Sequence, residues 1–106
     1  MRNLEDIDVE HARILYDDGA IFIDVREPAE QAAERIPGAL PAPLSELARG
    51  MTLDVPADRP KVFLCRSGSR TSHYAAALAS LIEGEGYNLV GGILAWRGAG
   101  YPTEAG

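Results

Sequence analysis

The chain has 106 residues, 46% of them hydrophobic, with 10 Lys+Arg against 16 Asp+Glu and a formal net charge of −6. That length supports one core, so residues 1–106 read as a single domain, and the acidic balance leaves no basic face for nucleic acid or an anionic membrane. The opening MRNLEDIDVEH has no apolar signal core and no run approaches the roughly 18 apolar residues of a membrane span, so a cytoplasmic protein is expected. One cysteine excludes an intramolecular disulfide, a CxxC pair and a Cys-rich metal site, and His11 and His73 are not spaced as a ligand pair.

The stretch DVEHARILYDDG predicts a helix with Asp8 as N-cap and Gly19 as its stop. AIFIDV is short, β-branched and apolar on both faces, which predicts a strand buried from both sides, as in a parallel sheet. In REPAEQAAER a short helix is expected with Pro28 near its first turn and Glu27 and Glu30 near the positive end of its dipole. IPGALPAPLSELARG follows as a Pro-punctuated connection that ends in a short helix around Ser45 to Arg49. KVFLC predicts a second two-sided strand, and RTSHYAAALASLIEGEG a long helix stopped by Gly84 or Gly86. The remainder predicts a short strand at YNLV, a Gly91-Gly92 turn, a short helix containing Trp96 and an irregular tail. Strands alternating with helices imply an α/β fold with a parallel sheet.

The only cysteine, Cys65, stands where KVFLC gives way to the turn Arg66, Ser67, Gly68, Ser69, Arg70. A strand-to-helix turn outside the carboxyl end of a strand is where open α/β sheets bind ligands. A thiol becomes a nucleophile as thiolate, which backbone N–H groups and neighbouring arginines favour. Gly68 permits the loop to curl so that its amides face the sulfur and a bound anion, Arg70 is positioned to grip that anion bidentately, and Arg66 flanks the mouth. The bland alternative is a small buried hydrophobe with two solvated arginines. Cys65 is the candidate catalytic residue, and Arg66 to Arg70 are the candidate substrate-binding residues.

The motifs IDVREPAE, RIPGALPAPLSEL, CRSGSRTS and GGILAW, in this order, make the chain resemble a single-domain rhodanese, a thiosulfate sulfurtransferase, from about Leu4 to Pro102. The resemblance implies a three-layer fold with a central parallel five-stranded sheet flanked by helices, and Cys65 as the residue that takes up sulfane sulfur as a persulfide. Thiosulfate or a similar donor would supply the sulfur and cyanide, a dithiol or a protein thiol would remove it, with no metal or organic cofactor and a monomeric protein expected. Related phosphatases and arsenate reductases typically place five residues between cysteine and arginine; here four separate Cys65 from Arg70. That smaller ring suits a persulfide better than a tetrahedral phosphoryl group. A persulfide carrier that discharges only to a partner protein is the second reading, and oxyanion chemistry the third.

In the matching family motif, Asp24 and Arg26 are mainly scaffold, with the arginine close to the pocket. Glu27 either orients an arginine or favours the following helix. Arg35 stands where family members commonly carry histidine, and a hydrogen-bonding role toward the loop is the most it could retain. Trp96 is expected in the core, Gly91-Gly92 as a turn that lets its segment approach the sheet or the site, and His73 as an exposed or capping residue.

Overall fold

The computed structural model describes residues 2–106. Five strands, β1 (Glu5–Ile7), β2 (Ile21–Asp24), β3 (Leu40–Pro41), β4 (Lys61–Leu64) and β5 (Gly86–Leu89), form one sheet in the order β1-β5-β4-β2-β3, and every pairing is parallel. The helices are α1 (Val9–Asp17), α2 (Pro28–Ala33), α3 (Leu44–Ala48), α4 (Ser69–His73), α5 (Ala75–Ala79) and α6 (Gly92–Gly98). None among the described residues is long and apolar enough to cross a membrane.

The central strands explain their unbroken apolar sequences. Phe22, Val62 and Leu64 enter one core with Ala12 of α1 and Ile93 and Trp96 of α6. Ile23 and Phe63 enter the other with Leu78 and Ala79 of α5, while Leu44 and Leu47 of α3 pack against that side. Successive side chains of a strand face opposite ways, so a sheet covered on both faces buries both, and in β2 and β4 the polar residues stand only at strand ends, Asp24 and Lys61. Trp96 is fully buried, meets Tyr16, Phe22 and Tyr101 edge-on at 5.1, 5.4 and 5.1 Å between ring centroids, and donates its indole N–H to the Pro102 carbonyl at 2.8 Å.

Local chemistry sets several element ends. The Asp8 carboxylate accepts the His11 amide at 2.8 Å, and Gly19 takes a left-handed φ of 90° just past α1. Pro28 opens α2 behind Glu27 as N-cap.

Two edge strands fall where no strand was expected. β1 has only Ile7 buried, and β3 is two residues of the Pro-punctuated connection paired with Ile23 and Asp24. A proline at a sheet edge withholds no needed N–H group. The long helix expected over residues 70–86 is corrected. Tyr74, at φ −102° and ψ 17°, separates α4 from α5, and after Ala79 the bonding tightens, with the Leu81 and Ile82 amides donating to Leu78 and Ala79. The buried Lys61 ammonium donates to the carbonyls of Pro56, Ala57 and Glu83, and Gly84 has φ 80°. That clasp turns the chain into β5 before the glycines could end a helix.

Candidate active site

β4 ends at Leu64, and residues 65–68 turn the chain into α4. The turn lies outside the carboxyl ends of β4 and β2, adjacent strands whose next neighbours, β5 and β3, lie on opposite sides. It is the crevice position of an open α/β sheet. Cys65 is fully buried, and its Sγ accepts the Gly68 amide at 3.1 Å. The Thr71 hydroxyl lies 3.6 Å from Sγ and 3.2 Å from the Gly68 carbonyl, so its one proton can go to either.

Two glycines make this geometry possible. Gly68 has φ 92°, and a Cβ there would lie 2.9 Å from the Gly91 amide nitrogen. Gly92 has φ 59°, and a Cβ there would lie 2.4 and 2.5 Å from the carbonyl oxygens of Cys65 and Arg66. Those carbonyls instead accept the Ile93 and Leu94 amides at 3.0 and 3.1 Å. The Gly91-Gly92 turn thus brings the start of α6 against the back of the loop.

Burial by itself pushes the Cys65 thiol up. The amides of Thr71, Gly68 and Arg70, with the Thr71 hydroxyl, outweigh it and hold the thiol below its ordinary value. Hydrogen bonds offered to sulfur favour its charged form, so the loop stabilises a thiolate.

The arginines separate into three kinds. Arg26 is 4% exposed and clamps Asp24, 1% exposed, with Nε on Oδ1 at 3.0 Å and Nη2 on Oδ2 at 2.8 Å, and it also donates to the Glu30 and Glu34 carbonyls. This pair joins β2 to α2. The Arg70 guanidinium lies across the Glu30 carboxylate, Nη1 to Oε1 at 2.7 Å and Nη2 to Oε2 at 2.8 Å. One N–H of each terminal nitrogen of this fork thus meets a carboxylate, whose own pKa is drawn from 4.5 to about 2, mainly by the Arg70 bond. Arg66 is exposed and forms no ion pair among the described residues. Ser67 and Ser69 stand exposed beside it with hydroxyls 3.3 Å apart. No three His, Cys, Asp or Glu side chains among the described residues are grouped to hold a metal ion.

The rhodanese-like domain model matches residues 8–99. The chain belongs to the rhodanese family. This rhodanese domain is 38% identical over 93 residues to a sulfurtransferase of Allochromatium vinosum, covering 88% of this chain and 86% of that one. It is 32% identical over 107 residues to the thiosulfate sulfurtransferase GlpE of Pseudomonas fluorescens Pf-5, covering 98% and 94%. Its fold superimposes on a rhodanese-related protein of Thermoplasma volcanium with a TM-score of 0.82 at 24% identity, over 96% of this chain and 99% of that one. By homology it is placed among sulfurtransferases.

Thr71, fully buried under the loop, was not singled out, although a small hydroxyl one position past Arg70 is the available signal. Glu30 favours the start of α2 as expected, its Oε1 accepting the Glu27 amide at 3.1 Å, and is in addition the partner of Arg70. Glu27 does not touch an arginine; its carboxylate accepts the Ser45 hydroxyl at 2.5 Å and the Ser45 amide at 3.3 Å, tying α2 to α3. Arg35 makes no bond to the loop: it pairs with Glu104 at 3.1 Å and forms an antiparallel bridge with it. His73 is exposed, its ring edge-on to Tyr74 at 4.7 Å.

Proposed function

We propose that this rhodanese domain moves sulfane sulfur from thiosulfate, or a similar anionic donor, to cyanide or a thiol by way of a persulfide on Cys65. The observation that carries this reading is the cradle at Sγ, where the Gly68 amide donates at 3.1 Å to the one cysteine of the chain. The Cys65 thiolate attacks the outer sulfur of thiosulfate, a new S–S bond forms, and the S–S bond of the donor breaks with its electron pair leaving on sulfite. The amides that favoured the thiolate then hold the persulfide, and an acceptor nucleophile removes the outer sulfur and restores the thiolate.

Oxyanion chemistry is the weaker reading for a geometric reason. A phosphoryl or arsenate group needs cationic donors free to surround its equatorial oxygens. Only four residues separate Cys65 from Arg70, which gives a ring small for such a group, and Arg70 already spends one N–H of each terminal nitrogen on Glu30. The test is the intact mass of the reduced protein before and after thiosulfate, beside Cys65→Ser, followed by cyanide. A gain of one sulfur that needs Cys65 and departs as thiocyanate is expected; no gain overturns the reading. Gain without discharge to any small acceptor would favour a carrier that hands sulfur only to a partner protein.

A further inference from the structure

A pocket of ≈ 220 Å³ opens beside the Cys65 loop, between α2 and α6. Its polar wall consists of Arg26, Glu30, Glu34, Arg66 and Arg97, with Leu94 among its apolar lining. Cys65 itself does not line it; the pocket reaches the cysteine loop through Arg66, which follows Cys65 in the chain and whose carbonyl accepts the Leu94 amide, and through Glu30, which holds Arg70.

The charges of this wall are unevenly committed. Arg26 is clamped by Asp24, Glu30 is spent on Arg70, and Arg97 Nη1 meets Glu34 Oε1 at 2.6 Å. Arg66 alone among the wall's cations has no carboxylate partner among the described residues. Glu34 bonds the Thr103 hydroxyl through Oε2 and Arg97 through Oε1, one bond to each oxygen, and each oxygen can accept another. These bonds, with the Thr103 hydroxyl the largest influence, hold it below the ordinary carboxylate range and so ionised. The pocket therefore offers one free cation and one anion with spare acceptor capacity. Its volume is below the roughly 300–1,000 Å³ of sites for drug-sized ligands, which suits a molecule of amino-acid size.

Resting on the sulfur-transfer reading, we infer that this pocket is the acceptor subsite and takes a zwitterionic, amino-acid-sized thiol, its carboxylate on Arg66 and its ammonium on Glu34. The acceptor thiolate attacks the outer sulfur of Cys65–S–SH and a new S–S bond forms. The Sγ–S bond breaks, its electron pair returns to Cys65 as thiolate, and the acceptor leaves as RS–SH, carrying the proton of the outer sulfur. With Cys65 itself buried, the outer sulfur is the atom an incoming thiolate meets.

The test is single-turnover discharge of protein preloaded with sulfur, followed by intact mass, with four thiols compared at equal thiolate concentration. Cysteine carries both charges, 3-mercaptopropionate only the carboxylate, cysteamine only the ammonium, and 2-mercaptoethanol neither. Cysteine is expected to discharge the persulfide at least about tenfold faster than 2-mercaptoethanol, the worth of one charge-assisted hydrogen bond. Arg66→Gln should remove the advantage of the carboxylate-bearing thiols, and Glu34→Gln that of the ammonium-bearing ones, while 2-mercaptoethanol discharge from each loaded variant serves as the internal reference. Equal rates for all four thiols, or variants that change the four rates by one common factor, overturn the acceptor pocket and leave the persulfide cycle standing. Failure of the protein to take up sulfur at all overturns the sulfur-transfer reading and this inference with it.

Discussion

Replacing Glu30 with glutamine removes one charge from the contact that anchors Arg70 beside the loop. At about 1.4 kcal/mol per pH unit, a carboxyl held at about 2 instead of 4.5 carries an upper bound of about 3 kcal/mol. Both side chains are about a third exposed, 33% for Arg70 and 30% for Glu30, so solvent screening reduces the figure to about 1–2 kcal/mol. The sign follows from the direction. A carboxyl depressed in the folded state contributes stability that is complete above its ordinary 4.5 and is lost as pH falls through about 2. Glutamine binds no proton in this range, so the gap between wild type and Glu30→Gln isolates that contribution. Urea unfolding at steps from pH 7 down to pH 2 is the assay, with two-state behaviour checked by coincident fluorescence and circular dichroism. The gap should hold at about 1–2 kcal/mol at neutral pH and close steadily below about pH 5. A gap that does not change with pH, or one absent at neutral pH, would refute the assignment of Glu30 as the ionic partner of Arg70.

Thr71→Val keeps the shape of the buried side chain but removes the hydroxyl near Sγ, and should raise the Cys65 pKa. The pH dependence of alkylation, read by mass on the single cysteine, measures it, and Thr71→Ser should retain the lowered value. Because the thiol is depressed in the folded protein, its stabilising contribution is complete above the ordinary thiol range and fades as pH falls through the folded value; Thr71→Val should lose part of it. Gly92→Ala forces a Cβ against two backbone carbonyls at a positive φ, and should cost about 2 kcal/mol or more and abolish sulfur loading. Thermal melting beside the intact-mass assay separates the two effects: an unchanged melting temperature with normal loading would mean that α6 does not brace the loop.

The central strands, the capped first helix and the cysteine turn were legible in the sequence because each is written in neighbouring residues. β2 and β4 declare burial on both faces by having no polar alternation. Asp8 and Gly19 bracket α1 by capping chemistry that acts within a few residues. Cys65, Gly68 and Arg70 stand together in a single loop. The edge strands were not legible: β3 is two residues long and β1 buries only Ile7, so neither leaves a periodic pattern. The end of α5 departs from the glycine stop that its local sequence predicts because its cause lies elsewhere, in a buried lysine of β4 whose ammonium draws in the Glu83 carbonyl.

Charge pairing divides the same way. Sequence alone supplied the identity of the nucleophile candidate, the amide-rich turn around it and the arginines flanking it. Only the tertiary structure decided which arginine remains free. Arg70 and Glu30 are 40 residues apart, Arg97 and Glu34 are 63 apart, and the Gly92 backbone reaches Cys65 from a separate strand and turn. A carboxylate's choice among several arginines is set by geometry at the few-ångström scale, because charge-assisted bonds decay steeply with distance and orientation. Local propensity carries no information about that distance, which exists only after the sheet has brought α2, α6 and the Cys65 loop to one edge.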